Sequence, residues 1–333
     1  MTVPYIPHTP ADEAAMLQRI GVGTIDDLFA DLPADLRDKA LTFSERQGQS
    51  ELELRRDFAA LAALDRPAGQ MASFLGAGAY DHYIPAVVTQ LSSRSEFVTS
   101  YTPYQPEISQ GTLQSIFEFQ TYMTRLTGEH VSNASLYDGA EAAAEAVLMA
   151  VNQTRRYNIV IADNLHPRYR STIEAYTHAQ GIDITCLPAD ESSGRLLPDS
   201  AAALLDRQTA CLVVATPSFS GVIETELEAL AEAAHDAGAL LLVVFNPLAA
   251  GLLTPPGLQG ADIVCGEGQP LGQPLNFGGP YLGYITCRNK FMRKMPGRLV
   301  GLTSDSEGRP SYVLTIQARE QHIRREKATS NIC

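Results

Sequence analysis

The chain of 333 residues is 45% hydrophobic and 19% charged, enough apolar material for two domains or for one large domain with an appendage. Its formal net charge of −13 argues against nucleic acid or an anionic membrane surface as partner. The five cysteines, Cys186, Cys211, Cys265, Cys287 and Cys333, are far apart, mostly inside apolar runs, and lack metal-ligand spacing, so they read as buried structural thiols in a reducing compartment with no metal site.

From Met1 the chain shows no basic region followed by an apolar core, so no signal peptide is expected, and a cytoplasmic location follows. Residues 1–70 read as a helical arm. Thr9 and Asp12 open a helix to Ile20, Thr24 with Asp26 and Asp27 opens another that ends before Pro33, and Leu52, Leu54, Leu61 and Leu64 mark a third over 50–64. The run 74–83 contains Gly76, Gly78 and an aromatic end, but no strand-to-helix unit with a third glycine surrounds it, which excludes a dinucleotide fingerprint. Next, Thr99–Gly111 is polar, aromatic and stiffened by Pro103 and Pro106, and it leads into a helix over 112–127. Such a segment is either an ordinary loop or a preset contact surface.

Beyond residue 130 the pattern becomes regular. Strand-like runs are expected at 131–136, 158–163, 182–187, 210–216, 239–245, 261–265 and 281–287, with helices at 139–152, 167–180, 199–207 and 225–237. Short apolar strands alternating with helices indicate an α/β domain, 71–290, with a mainly parallel, doubly wound sheet covered on both faces. The longest apolar run, 237–245, suits a central strand and is far too short to cross a bilayer. Gly260–Tyr284 holds seven glycines and three prolines between two strand-like runs, so its backbone must take unusual angles or approach something closely. It contains no lysine; the chain has four, Lys39, Lys290, Lys294 and Lys327. Residues 291–333 read as the start of a small C-terminal domain with a helix over 315–327, cut off in mid-element.

Several stretches carry a resemblance: Tyr5–Thr9, Phe74–Pro85, Thr102–Gly111, Asn133–Gly139, Gly260–Tyr284 and Arg319–Cys333. Together they resemble the glycine cleavage P-protein family, in particular its first (α) subunit. The resemblance implies pyridoxal-phosphate fold type I, the aspartate-aminotransferase-like fold. It implies that a β subunit holds pyridoxal phosphate. The complex would decarboxylate glycine and pass the aminomethyl group to the lipoyl arm of H-protein.

Pyridoxal phosphate needs an amine, a phosphate cradle and a partner for its ring nitrogen. At the matched positions the amine is missing, where Gln269 or its neighbours stand. Asp138 and Glu141 would form a capping box at the helix start that should cradle phosphate. Asn246 replaces the aspartate expected after the fifth strand, and a neutral amide cannot keep a ring nitrogen protonated as a carboxylate does. No catalytic or cofactor-binding residue is therefore expected on this chain. His166 is expected to cap the next helix. Tyr101, Tyr104, Gln105 and Glu107 are expected to reach into the partner's site, with His82 either packing or lying on its rim. The alternatives are a free-standing lyase using Lys290 or Lys327, and a scaffold that adds nothing to turnover.

Overall fold

The computed structural model describes residues 7–37, 48–67, 70–72, 78, 81–275, 281–330 and 332. Contacts divide the chain into two units, Met1–Ala72 and Ser73–Cys333. In the first, α1 (Pro10–Ile20) opens with a reciprocal capping box between Thr9 and Asp12 and stops at Gly21, whose φ of +91° is left-handed. Helix α2 (Glu51–Ala62) starts with the same device on Ser50 and Glu53. Between them the helix expected to run to Pro33 is a single 3-10 turn, Asp26–Phe29. There the Asp27 carboxylate accepts from the Gly23 and Thr24 N–H groups, which fixes a tight turn in place of a longer helix.

The second unit begins with two short helices, α3 (Ala86–Ser92) and α4 (Ser95–Val98), followed by α5 (Gln110–Thr127). After the short strand β1 (Val131–Ser132) come α6 (Gly139–Thr154), β2 (Asn158–Ala162), α7 (Pro167–His178), β3 (Asp183–Leu187), α8 (Pro198–Leu204), β4 (Thr209–Thr216), α9 (Leu227–Asp236) and β5 (Leu240–Phe245). Strands β6 (Ile263–Glu267) and β7 (Gly283–Cys287) complete a seven-stranded sheet of order β1-β7-β6-β5-β4-β2-β3. Strands β2 to β6 pair in parallel, while β7 runs antiparallel to both β6 and β1.

Alternation along the strands builds a core on each face. Ile159, Ile161, Cys211, Val213, Leu242, Ile263 and Cys265 pack on one side with the alanine-rich α6. Val160, Leu212, Val214, Leu241, Val243 and Val264 pack on the other, with Leu227 and Leu230 of α9. Ala142, Ala143, Ala144 and Ala146 are fully buried, and their small side chains let α6 lie close on the sheet.

The helix expected over 315–327 does not form. A hairpin, β8 (Leu299–Ser304) with β9 (Pro310–Thr315), takes its first residue, and only one α-helical turn, Gln321–Arg324, lies between 3-10 turns beyond it. Ile316 sits at φ 55°, and the Arg319 guanidinium donates to the carbonyls of Met295, Ile316 and Gly297. Those bonds tie the segment to earlier backbone and break helical continuation.

Candidate functional site

The C-terminal ends of parallel strands are where α/β sheets bind ligands. At those ends a cavity of ≈ 280 Å³ is lined by Leu165, His166, Tyr169, Ala215, Phe219, Phe245, Asn246 and Glu267, among others. His166 does cap α7 as expected, its Nδ1 accepting from the Arg168 N–H at 3.0 Å. It also forms a wall of the cavity, with its ring centroid 4.6 Å from that of Phe219. Asn246, directly after β5, turns its Oδ1 to the Leu248 N–H at 3.0 Å.

The start of α6 adjoins this cavity through Glu267 and Tyr169. Asp138 caps the helix by accepting from the Glu141 N–H at 2.8 Å. The reciprocal half of the expected capping box is displaced by one residue: the Glu141 carboxylate accepts from the Tyr137 N–H at 3.3 Å. A third carboxylate, Glu267 at the end of β6, reaches the same place. One of its oxygens accepts from the Gly139 N–H at 2.9 Å, and the other from Gln269 and Leu282 at 2.8 and 2.9 Å. Burial raises the Glu267 pKa above the usual carboxylate range, opposed by these three bonds. Gly139 has no room for a side chain, because a Cβ there would overlap the Tyr169 hydroxyl and stand 2.8 Å from the Glu267 nitrogen.

Burial also pushes Glu141 up to about 7, helped by the neighbouring charge of Glu145. Glu145, one turn on, is raised by burial as well, although the Ser330 hydroxyl donates to it. At the opposite end of the sheet, Asp262 is buried and meets His235 at 2.7 Å, Lys290 at 3.5 Å and Arg288 at 3.8 Å. Nearby Glu129 is pushed up to about 8 by burial, against the pull of Arg288.

A model of the glycine cleavage system P-protein family matches residues 3–333. The chain belongs to that family. It is 55% identical to a probable glycine dehydrogenase (decarboxylating) subunit 1 of Xanthobacter autotrophicus, over 99% of this chain and 73% of that one. The corresponding protein of Desulfitobacterium hafniense is 50% identical over the same shares. A crystal structure of glycine decarboxylase (P-protein) of the glycine cleavage system, in inhibitor-bound form, superposes with a TM-score of 0.81 at 44% identity, covering 99% of this chain and 73% of that one. Lactobacillus brevis glutamate decarboxylase shares the fold at a TM-score of 0.57 and 15% identity, over 81% of this chain and 64% of its own. This P-protein chain has pyridoxal-phosphate fold type I.

The residues of this P-protein chain do not fit pyridoxal phosphate itself. No lysine lines the cavity among the described residues. Lys290 is held by Asp262, which precedes β6, whereas the cavity adjoins Glu267 at the strand's end. Five residues of strand span about 16 Å, so Lys290 lies at the wrong pole of the sheet. Lys294 and Lys327 line a separate polar hollow with Glu145 and Arg319. Gln269 is buried and donates to the Gln273 carbonyl. The Gly139 N–H, a natural phosphate donor, is already taken by Glu267.

The segment expected to act on a partner's site stands on the surface. Tyr101 is 95% exposed, and Gln105 and Glu107 are exposed. Tyr104 is half exposed, accepts from the Arg298 guanidinium and lies under it, 5.1 Å from ring centroid to Cζ. His82 is half-buried with its Nε2 enclosed. None of these five lines the cavity. Among the described residues no cluster of three or more His, Cys, Asp or Glu is placed to hold a metal, and no described helix is long and apolar enough to cross a membrane.

Proposed function

We propose that this chain is the α subunit of a two-subunit glycine decarboxylase, the subunit that leaves pyridoxal phosphate to its β partner. The observation that carries the reading is the closed site: no lysine among the described residues reaches the cavity, and the protein's own carboxylates occupy the helix start beside it. In this reading the cofactor supplies the electron sink for glycine decarboxylation on β, and no step of that chemistry falls to this chain. The α subunit shapes the cleft between the subunits, and the aminomethyl group passes to the lipoyl arm of H-protein. Tyr101, Tyr104, Gln105 and Glu107 suit that role because they sit on a proline-stiffened surface and bring hydrogen-bonding groups without a nucleophile. Free thiols at Cys186, Cys211, Cys265 and Cys287 suit a cytoplasmic setting.

The test is exchange of labelled bicarbonate into the glycine carboxyl group, in the presence of lipoylated H-protein. It compares this chain alone, β alone and the co-purified pair. Exchange by the pair alone is expected. Exchange by this chain alone would overturn the assignment, and equal exchange by β with and without it would reduce the chain to a scaffold.

A further inference from the structure

The Asp138 cap of helix α6 satisfies the Glu141 N–H alone, and the Gly139 N–H at the same helix start goes to Glu267. A further carboxylate at the same helix start adds like-charge repulsion from Asp138 to the cost of burial. What Glu267 gains is three backbone N–H groups from two distant parts of the chain: Gly139 at the helix start, and Gln269 and Leu282 at the two ends of the glycine-rich return. Both sides of this contact are glycine-dependent. A Cβ at Gly139 would overlap the Tyr169 hydroxyl, and one at Gly283 would overlap the Asp138 carbonyl. Backbone donors converging on one anion, at the mouth of a helix and with side chains excluded, are the elements of an oxyanion-binding nest.

We propose that the Glu267 carboxylate is a built-in substitute for a phosphate: it fills an anion site made by the Gly139, Gln269 and Leu282 N–H groups, and its removal opens that site to a free tetrahedral oxyanion. The chain thereby completes its fold without the cofactor's phosphate. This deepens the reading that the cofactor belongs to the partner, and rests on that reading only for which anion was displaced.

The experiment is chemical rescue of the full chain. Glu267→Ser removes the carboxylate and leaves the donors. Its thermal midpoint is followed with inorganic phosphate against sodium chloride of equal ionic strength, beside wild type and Glu141→Gln. Glu267→Ser is expected to melt lower in chloride and to recover with phosphate in a saturable way. At phosphate tenfold above its dissociation constant the recovery is RT ln 11, about 1.4 kcal/mol, or roughly 2–3 °C for a chain of this size. Wild type and Glu141→Gln should show only the general effect of an excluded anion. The same phosphate response in all three chains would overturn the proposal.

If Glu267→Ser does not accumulate, Glu267→Gln keeps the shape, and its one acceptor oxygen cannot serve all three donors. Amide exchange should then quicken at least tenfold at one or more of Gly139, Gln269 and Leu282; unchanged exchange at all three would also overturn it. Failure of rescue leaves the cofactor on the partner, because the lysine is still missing. Stoichiometric pyridoxal phosphate binding by wild type would overturn that parent reading, whatever Glu267→Ser does.

Discussion

Gly139→Ala is a substitution for which the structure leaves no room. The added methyl would overlap the Tyr169 hydroxyl and stand 2.8 Å from the Glu267 nitrogen and 2.9 Å from its Cβ, so backbone as well as side chain has to move. Overpacking of this kind costs about 1–3 kcal/mol. Displacing Glu267 also weakens its charged hydrogen bond to the residue 139 N–H, worth about 1.5–3 kcal/mol. Against this, alanine loses less chain entropy than glycine on folding, a gain of up to about 1 kcal/mol. The net loss is about 2–5 kcal/mol. With a urea m-value of about 3 kcal/mol/M, the unfolding midpoint should fall by roughly 1 M. Far-ultraviolet circular dichroism reads the midpoint directly. Tyr169→Phe removes the overlapped hydroxyl, so the alanine should cost about 1 kcal/mol less in that background. A midpoint within the scatter of wild type, or an equal cost in both backgrounds, would refute the contact geometry.

Glu129 is raised to about 8, first by burial, so the folded chain holds its proton over a range where the unfolded chain has lost it. The unfolded state binds fewer protons there, and this group's contribution to stability falls as pH rises from about 5 to 8. Glu129→Gln should therefore gain stability over wild type as pH rises through that window and level off above it; a gain independent of pH would contradict the assignment. In the assembled complex, Tyr104→Phe and Gln105→Ala should each lower glycine decarboxylation about tenfold, roughly one hydrogen bond to a charged group, with pairing intact. Normal kinetics in both would make the segment plain interface packing. Gln269→Lys should not yield stable cofactor binding, since Glu267 still fills the anion nest and Asn246 cannot hold a protonated ring nitrogen. A stoichiometric visible absorbance band from that single variant would show the remaining losses to be harmless.

The sheet was legible because its strands are short and apolar and its helices amphipathic, so the change of period marks each boundary to within a few residues. The antiparallel course of β7 was not legible, since an apolar run looks the same in either direction. The helix expected over 315–327 is absent for a different reason. Its composition suits a helix, but Arg319 takes its bonds from carbonyls at Met295 and Gly297, more than twenty positions away. Turn signals for the missed hairpin were present: Asp305 accepts from the Glu307 and Arg309 N–H groups, and Gly308 takes φ +79°. At the site, the missing lysine and Asn246 could be read position by position. Glu267 could not, because its partner Gly139 is 128 residues away and nothing local distinguishes it from a solvated carboxylate.

In the proposed assembly the cofactor sits on the partner and not on this chain. Borohydride reduction of the purified two-subunit complex fixes pyridoxal phosphate to whichever lysine holds it, and mass spectrometry of the separated chains then counts the label. One equivalent on the β chain and none at Lys39, Lys290, Lys294 or Lys327 is the expected result. A stoichiometric label on any of those four lysines would contradict the account.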